Sequence, residues 1–253
     1  MSGHSKWSTI KHQKGKQDAK RGRIFTKLIK EISIAAREGG GDPDANPRLR
    51  TAIASAKSAN MPTDNIEKAI KRGTGDLPGV NYEEVRYEAY GPAGVAIIIE
   101  VVTDNKNRTV AELRHMFSRL NGSLGETGCV SWMFDWKGLI SIPNDGKLKE
   151  EELFEMAIEA GGDDLKIEDD YFYIYTEVED MVEVKENLEK NGVVIESAEI
   201  SAIPQTTVKL DAKDAEKLFK LIDALEDHDD IQKVHANFEV DDEVLENYRN
   251  SQD

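Results

Sequence analysis

The pattern of hydrophobic residues changes character once along the chain, at the glycine-rich stretch Gly73–Gly79. Before this stretch, apolar residues recur three and four positions apart, which is the period of an amphipathic helix. After it, alternating and β-branched runs such as Val95–Thr103 are typical of strands. The change of period predicts an α+β protein, with a helical N-terminal domain followed by α/β domains.

Residues 1–79 are predicted to form a mobile N-terminal arm and three helices. The helices are bounded by local signals: the first ends at Gly39-Gly40-Gly41, the second starts at Asn46-Pro47, and the third follows Pro62-Thr63 and stops at Gly73. The Gly73–Gly79 linker is short and glycine-rich, so we expect it to act as a hinge between this domain and the remainder of the chain.

The remainder of the chain is predicted to hold two α/β domains, one inserted in the other. Residues 80–134 show two strands, a helix and a further strand at Val130–Phe134, while residues 205–240 add a strand, a helix and a strand. The last three elements have no sheet of their own, so we expect them to complete a discontinuous middle domain. Between them, residues 135–204 have the βαββαβ pattern of a ferredoxin-like domain. Residues 241–253 are an acidic tail.

Charge is divided as unevenly as the hydrophobic pattern. Residues 1–79 hold 16 Lys and Arg against 8 Asp and Glu, a net charge of +8, whereas residues 80–253 hold 17 against 41, a net charge of −24. A basic domain on an acidic body predicts that the basic part contacts a polyanion, because release of condensed counterions provides most of the affinity. The expected partner is therefore nucleic acid.

The predicted nucleic-acid-binding residues come from the arm, from one face of the first helix and from the next two helices. In the first helix, four basic residues lie opposite the apolar side at about 100° per residue, and Ile34 is an apolar exception among them. The four, here called the basic face, are Lys20, Arg23, Lys27 and Lys30. The full predicted set is His4, Lys6, Trp7, Lys11, Lys14, Lys16, Lys20, Arg21, Arg23, Lys27, Lys30, Arg48, Arg50, Lys57, Lys71 and Arg72.

Two interpretations remain open for Trp7, the aromatic residue of the arm. Trp7 follows Lys6 directly, and an indole beside a lysine can stack on an unpaired base. The same indole can instead pack against the helical domain. His4 belongs to the same string and is assigned to contact a phosphate or a base.

The sequence carries no recognisable catalytic arrangement. It has neither a glycine-rich phosphate loop nor a serine elbow, its five histidines include no i,i+4 pair, and Cys129 stands alone. We therefore predict a non-enzyme with no metal, no cofactor and no small-molecule substrate. The longest apolar run is too short for a bilayer and the start lacks the apolar segment of a secretory signal, so we expect a cytoplasmic protein without a membrane partner.

Several strings in the first 130 residues resemble the YebC/PmpR family. They are Gly3-His4-Ser5-Lys6-Trp7, Lys20-Arg21-Gly22-Arg23-Ile24-Phe25-Thr26-Lys27-Leu28, Asn46-Pro47-Arg48-Leu49-Arg50, Asn60-Met61-Pro62, Tyr87-Glu88-Ala89-Tyr90-Gly91-Pro92, Thr103-Asp104-Asn105-Lys106-Asn107-Arg108-Thr109 and Gly122-Ser123-Leu124-Gly125. The insert and the tail match mainly by length and layout. The resemblance implies a small helical domain followed by two α/β domains, one interrupting the other, and cytoplasmic regulators of transcription that bind DNA without enzymatic activity.

Three hypotheses about function follow. The first is a DNA-binding transcriptional regulator that acts through the basic N-terminal domain. The second is a ribosome-associated translation factor that binds ribosomal RNA through the same domain. The resemblance implies this alternative, because some members of the family, including mitochondrial translational activators, are assigned to translation. The third is an interaction module whose acidic α/β domains bind a protein partner. The charge distribution favours the first two.

Overall fold

The described chain folds into two compact units. The structure, a computed structural model, describes residues 17–146, 148–168, 171–241, 243–245 and 248. One unit contains the described residues up to Trp132 together with those from Thr206 onward, and the other contains Met133–Gln205. The insert predicted at 135–204 falls inside the second unit. Among the described residues, no helix combines the length and the apolar character needed to cross a membrane.

Three helices come first among the described residues of the first unit: α1 Gln17–Gly39, α2 Pro47–Ser58 and α3 Thr63–Thr74. Asn46 caps α2, because its Oδ1 accepts a hydrogen bond from the Leu49 N–H at 3.1 Å. The Asn46 amide also donates to the Ala35 carbonyl at 2.7 Å, so one side chain both starts α2 and ties it to α1. The helices share a buried core of Ile32, Ala35, Ala36, Leu49, Ala52, Ala56, Met61, Ile66 and Ala69.

The linker after α3 is hydrogen-bonded to the helices, and the hinge expected there stays a prediction. The Leu77 N–H donates to the Lys71 carbonyl at 3.0 Å. Beyond the linker, Arg37 donates to Asn81 Oδ1 at 2.6 Å and to the Tyr82 carbonyl. The helical region and the sheet that follows it therefore belong to the same compact unit.

The rest of the first unit is a four-stranded antiparallel sheet with helices. Its elements are β1 Glu83–Tyr90, β2 Ala96–Thr103, α4 Lys106–Arg119, β3 Ser123–Leu124, then, after the second unit, β8 Val208–Lys209, α7 Ala212–Glu226, β9 Ile231–Ala236 and β10 Phe238–Glu239. The strand order is β3-β1-β2-β9. The β-branched run in β2 is almost entirely buried, as a central strand requires. The C-terminal segment therefore completes the sheet begun before the second unit.

Two strands of this unit differ from the sequence prediction. Residues Ser131–Met133 form a 3-10 turn, and the third strand lies earlier, at Ser123–Leu124. The reason is Glu88, whose carboxylate accepts the N–H groups of Gly128, Val130 and Ser131 at 2.7–2.8 Å, so those groups are unavailable to a strand ladder. In addition, β8 pairs in parallel with β10 instead of joining the main sheet.

The second unit has the βαββαβ order of a ferredoxin-like fold. Its elements are β4 Phe134–Pro143, α5 Glu150–Ala160, β5 Asp164–Glu168, β6 Tyr171–Thr176, α6 Met181–Lys190 and β7 Ser197–Pro204. The strands form an antiparallel sheet in the order β5-β6-β4-β7. The sequence pattern predicts the final strand at Val193–Ile200, but it begins later, at Ser197. The reason is that the Val193 N–H caps α6 at the Leu188 carbonyl and the Val193 side chain enters the core.

Candidate nucleic-acid interface

Part of the predicted interface lies outside the described residues. His4, Lys6, Trp7, Lys11, Lys14 and Lys16 all precede Gln17, the first described residue. Lys20 lies in the first turn of α1, and its side chain is also outside the description. The structure therefore places the side chains of nine of the predicted residues, Arg21 through Arg72.

The basic face of α1 is turned towards the C-terminal end of α7. Arg23 Nη1 forms an ion pair with Asp227 Oδ1 at 2.7 Å. One turn later, Lys27 Nζ donates to the Glu226 carbonyl at 2.6 Å. A further turn along, Lys30 Nζ contacts Asp230 Oδ1 at 2.5 Å. Three cations predicted to face a nucleic acid thus make contacts within the protein.

Asp230 is the centre of this contact. Its carboxylate also accepts from Arg108 Nη2 at 2.8 Å and from Thr109 Oγ1 at 2.7 Å. Burial by itself would raise the pKa of the Asp230 carboxyl, but the hydrogen bonds from Lys30, Arg108 and Thr109 hold it well below its usual range. Since Lys30 and Asp230 side chains are only 7% and 5% exposed, the ion pair is part of the interior.

The burial of Lys30 corrects its assignment to the interface. Its ammonium donates to both Asp230 and the Asp229 carbonyl, so it cannot reach a phosphate while this contact holds. Ile34, the apolar exception on the basic face, is 1% exposed. The sequence analysis did not identify Asp230 as the partner of this face. Ile34 was the signal that the face is covered, because an apolar side chain there is buried only if another element packs over it.

Arg48 is also occupied by acidic side chains. Its guanidinium contacts Glu31 at 2.8 Å, Glu38 at 2.7 Å, and Glu84 of β1. Burial alone would lower the pKa of Arg48, but the hydrogen bonds to Glu31 and Glu84 raise it above its usual value. Arg48 thus connects α1, α2 and β1, and its charge is largely compensated.

Five predicted cations stay exposed on the helical region. They are Arg21, Arg50, Lys57, Lys71 and Arg72. Arg21 Nη2 donates to the Asn60 carbonyl at 3.4 Å, and the Asn60 N–H bonds the Lys57 carbonyl. The start of α1 therefore lies beside the end of α2, and the exposed cations Arg21 and Lys57 occupy the end of the domain from which the basic arm extends in sequence.

The remaining exposed cations lie elsewhere on the three helices. Lys71 and Arg72 lie in the last turn of α3, where their positive charges interact favourably with the negative end of the helix dipole. Arg50, in the first turns of α2, donates to the carbonyls of Pro43 and Asp44 at 3.2 and 3.3 Å, and its guanidinium stays accessible.

One group of described residues has the composition of a metal site. Side-chain donor atoms of Glu112, His228 and Asp230 lie within 4.8 Å of one another. However, His228 Nδ1 accepts from the Asp230 N–H at 3.1 Å and its Nε2 contacts Glu112 at 2.8 Å, so both ring nitrogens are engaged. Because Asp230 also faces two side-chain cations, the arrangement fits an ion-pair network better than a cation site.

The single cysteine lacks the environment of a nucleophile. Cys129 is half-buried, and burial together with the nearby Glu88 carboxylate raises the pKa of its thiol. A reactive cysteine needs the opposite shift, towards the thiolate.

The sequence matches the two profiles that describe one protein family. Residues 5–76 match the TACO1/YebC protein N-terminal domain, and residues 82–238 match the TACO1/YebC second and third domain. A probable transcriptional regulatory protein of Geobacter sulfurreducens is 58% identical over 246 residues, which cover 97% of this chain and 99% of that protein. One from Persephonella marina is 59% identical over 248 residues, 97% of this chain and 99% of that protein.

A solved structure has the same fold. The crystal structure of a conserved hypothetical protein from Aquifex aeolicus matches with a TM-score of 0.82 and 52% identity, covering 89% of this chain and 93% of that one. Together with the α+β architecture, these matches confirm the resemblance drawn from the sequence: this chain belongs to the TACO1/YebC family.

Proposed function

We propose that this protein is a non-enzymatic, cytoplasmic regulator that binds nucleic acid through its N-terminal helical region, with DNA as the ligand. The observation that carries the proposal is the net charge of +8 on residues 1–79 against −24 on the remainder. Such a division directs a polyanion towards one end of the molecule. The relatives named as probable transcriptional regulatory proteins support DNA as that polyanion.

The proposed contact surface consists of the exposed end of the helical region and the arm. Arg21 and Lys57 are exposed there, and four lysines of the arm precede α1 in sequence. Lys30 is left out of the surface because it is buried. Arg23 and Lys27 are also left out, since both bond to the end of α7.

Contacts to the phosphate backbone fit this surface better than insertion of α3 into the major groove. A recognition helix reads base edges with the residues near its N-terminus. The exposed residues near the start of α3 include Asp64 and Glu67, whose carboxylates would face the phosphates flanking the groove. We therefore propose binding that depends strongly on salt and weakly on base sequence.

Ribosomal RNA is the alternative ligand for the same surface. A basic segment that contains Trp7 suits irregular RNA, because an indole can stack on an unpaired base. On this alternative the protein is a ribosome-associated translation factor. Ultraviolet crosslinking in the organism's own cells, followed by sequencing of the attached nucleic acid, distinguishes the two: reads at promoter regions support the transcriptional role, and reads on ribosomal RNA support the translational one.

The site assignment is tested with the double variant Arg21→Gln/Lys57→Gln. Fluorescence anisotropy with a random-sequence DNA duplex, between about 50 and 200 mM salt, should show a slope of log affinity against log salt that is shallower by about 1.8, since each lost phosphate contact removes about 0.9. The control variant Lys217→Gln/Lys220→Gln removes the same two charges from α7, where both lysines pair with neighbouring carboxylates. Equal slopes in the two variants would contradict the assignment, and wild-type protein that binds neither DNA nor RNA would contradict the function.

A further inference from the structure

Helix α4 of the acidic middle domain is itself basic. It carries Lys106, Arg108, Arg114 and Arg119 against a single acid, Glu112, whereas residues 80–253 as a whole have a net charge of −24. None of these four cations belongs to the set predicted from the sequence. A local reversal of charge on an acidic body marks a surface that an anionic partner can find.

The cations of α4 fall into two groups according to their partners. Lys106 pairs with Glu83 at 2.5 Å. Arg108 pairs with Asp104 and Asp230, both at 2.8 Å, and these hydrogen bonds raise its pKa above the usual value. Arg114 and Arg119 are both exposed, and no described acidic side chain forms an ion pair with either. The structure thus accounts for the first pair of cations and leaves the second pair available.

The two available arginines lie on the outward side of α4. Thr109, Leu113 and Phe117 are buried on the opposite side of the helix. At about 100° per residue, Arg114 and Arg119 stand on the two edges of the outward face. Between them lie Ala111, His115 and Ser118, all exposed. Ala111 and Ser118 are small, and the His115 ring carries an N–H that can donate to a phosphate.

We propose that the outward face of α4 is a second contact for nucleic acid, in which Arg114 and Arg119 bind phosphates of the backbone. This inference rests on the proposed function and extends it from the helical region to the middle domain. Arginine suits the role because its planar guanidinium donates two parallel hydrogen bonds to a phosphate. Two arginines that flank a hydroxyl and an imidazole match a repeating anion better than an apolar protein anchor.

The Asp230 contact places this helix in the same assembly as the N-terminal region. Asp230 binds Lys30 of α1 with one carboxylate oxygen and Arg108, in the first turn of α4, with the other. Helices α1 and α4 therefore meet at the same buried carboxylate.

The experiment compares Arg114→Gln/Arg119→Gln with the wild type on the same random-sequence DNA duplex and on an RNA hairpin. If each arginine holds one phosphate, affinity should fall by about 100-fold at about 50 mM salt, and the slope of log affinity against log salt should decrease by about 1.8. The charge-preserving variant Arg114→Lys/Arg119→Lys should retain most of the wild-type slope. Lys217→Gln/Lys220→Gln serves as the matched control for loss of two positive charges from the same unit.

The outcomes separate this inference from the proposed function. Wild-type binding with an α4 variant that matches the control would overturn the second contact while leaving the N-terminal site intact. An α4 variant that loses binding to poly-glutamate but keeps its affinity for DNA and RNA would assign the face to an acidic protein segment and would also overturn the inference. Circular dichroism and the thermal midpoint of the variant establish that it is folded.

Discussion

A single carboxylate, Asp230, links the N-terminal helices to the middle domain. Lys30 and Arg108 approach it from two different helices, and Thr103 and Thr109 hydroxyls supply further hydrogen bonds at 3.1 and 2.7 Å. A buried charge is tolerated only when it is paired and hydrogen-bonded in this way. Removing the charge at Asp230 leaves two cations facing a neutral group, one of them buried.

The first prediction concerns the free energy of unfolding. Asp230→Asn should destabilise the unit by about 3–5 kcal/mol, because breaking a buried pair leaves a buried charge uncompensated. Urea unfolding followed by circular dichroism measures the change. The control is Asp227→Asn, which removes the exposed ion pair to Arg23 and should cost less than about 1 kcal/mol. Similar losses in the two variants would contradict a special role for Asp230.

The second prediction concerns pH. The folded-state pKa of Asp230 is depressed, so its stabilisation is fully present above the unfolded-state pKa of about 3.9 and is lost as pH falls towards the folded value. The difference in unfolding free energy between wild type and Asp230→Asn should therefore be constant near neutral pH and shrink below about pH 4. Urea titrations across this range measure it, and a difference that stays constant down to about pH 2 would rule out the linkage.

Helix α1 illustrates how one element serves two interfaces. One side contributes Ile32 and Ala36 to the core with α2 and α3, and the other side meets the end of α7 through the contacts of Arg23, Lys27 and Lys30. Helices α1 and α3 approach each other so closely that a Cβ added at Gly73 of α3 would lie 2.3 Å from the Ser33 carbonyl oxygen and 2.8 Å from Ala36 Cβ, both in α1. Gly73 is thus needed for the crossing of the two helices.

The third prediction tests that crossing. Gly73→Ala should lower the free energy of unfolding by about 1–3 kcal/mol, because backbone and side-chain atoms of α1 must move to admit the methyl group. The control is Gly22→Ala in α1, where an added Cβ meets nothing within 4 Å and alanine should stabilise the helix by about 0.5–1 kcal/mol. A Gly73→Ala variant that is as stable as Gly22→Ala, measured by urea unfolding, would show that the contact at Gly73 does not limit the packing.

At the scale of the whole molecule, the two ends of the second unit lie beside each other. Phe134 at the start of β4 pairs with Pro204 at the end of β7, and the Gln205 N–H donates to the Met133 carbonyl at 2.9 Å. The unit also has its own core, which includes Ile140, Phe172 and Leu188. Adjacent ends and a separate core are the features of a domain that can fold alone.

The fourth prediction follows from these ends. A fragment of residues 133–205 should fold on its own and unfold cooperatively in urea, with an m value of about 1 kcal/mol/M. A fragment of residues 133–196 lacks β7, which pairs with the central strand β4 along its length, and it should remain unfolded. Circular dichroism of both fragments measures the outcome, and an unfolded 133–205 fragment would show that its core depends on the first unit.

The sequence by itself determined most of the secondary structure, because the signals are local. Asn46, followed by Pro47, starts α2, and Asp211 starts α7, each through a hydrogen bond to a backbone N–H three residues later. The β-branched run of β2 indicates a buried strand whichever strands pair with it. The βαββαβ order of the second unit followed from the same local periodicity. The concentration of positive charge before residue 80 is likewise a property of the sequence.

Only the tertiary structure decided which of those charges stay accessible. Lys30 and Asp230 are 200 residues apart, and no local pattern indicates that one covers the other. The same holds for Glu88, whose hydrogen bonds to Gly128, Val130 and Ser131 turn a predicted strand into a loop. In both cases a carboxylate meets donors distant in sequence, and because such contacts depend on how the elements pack, they exist only once the chain has folded.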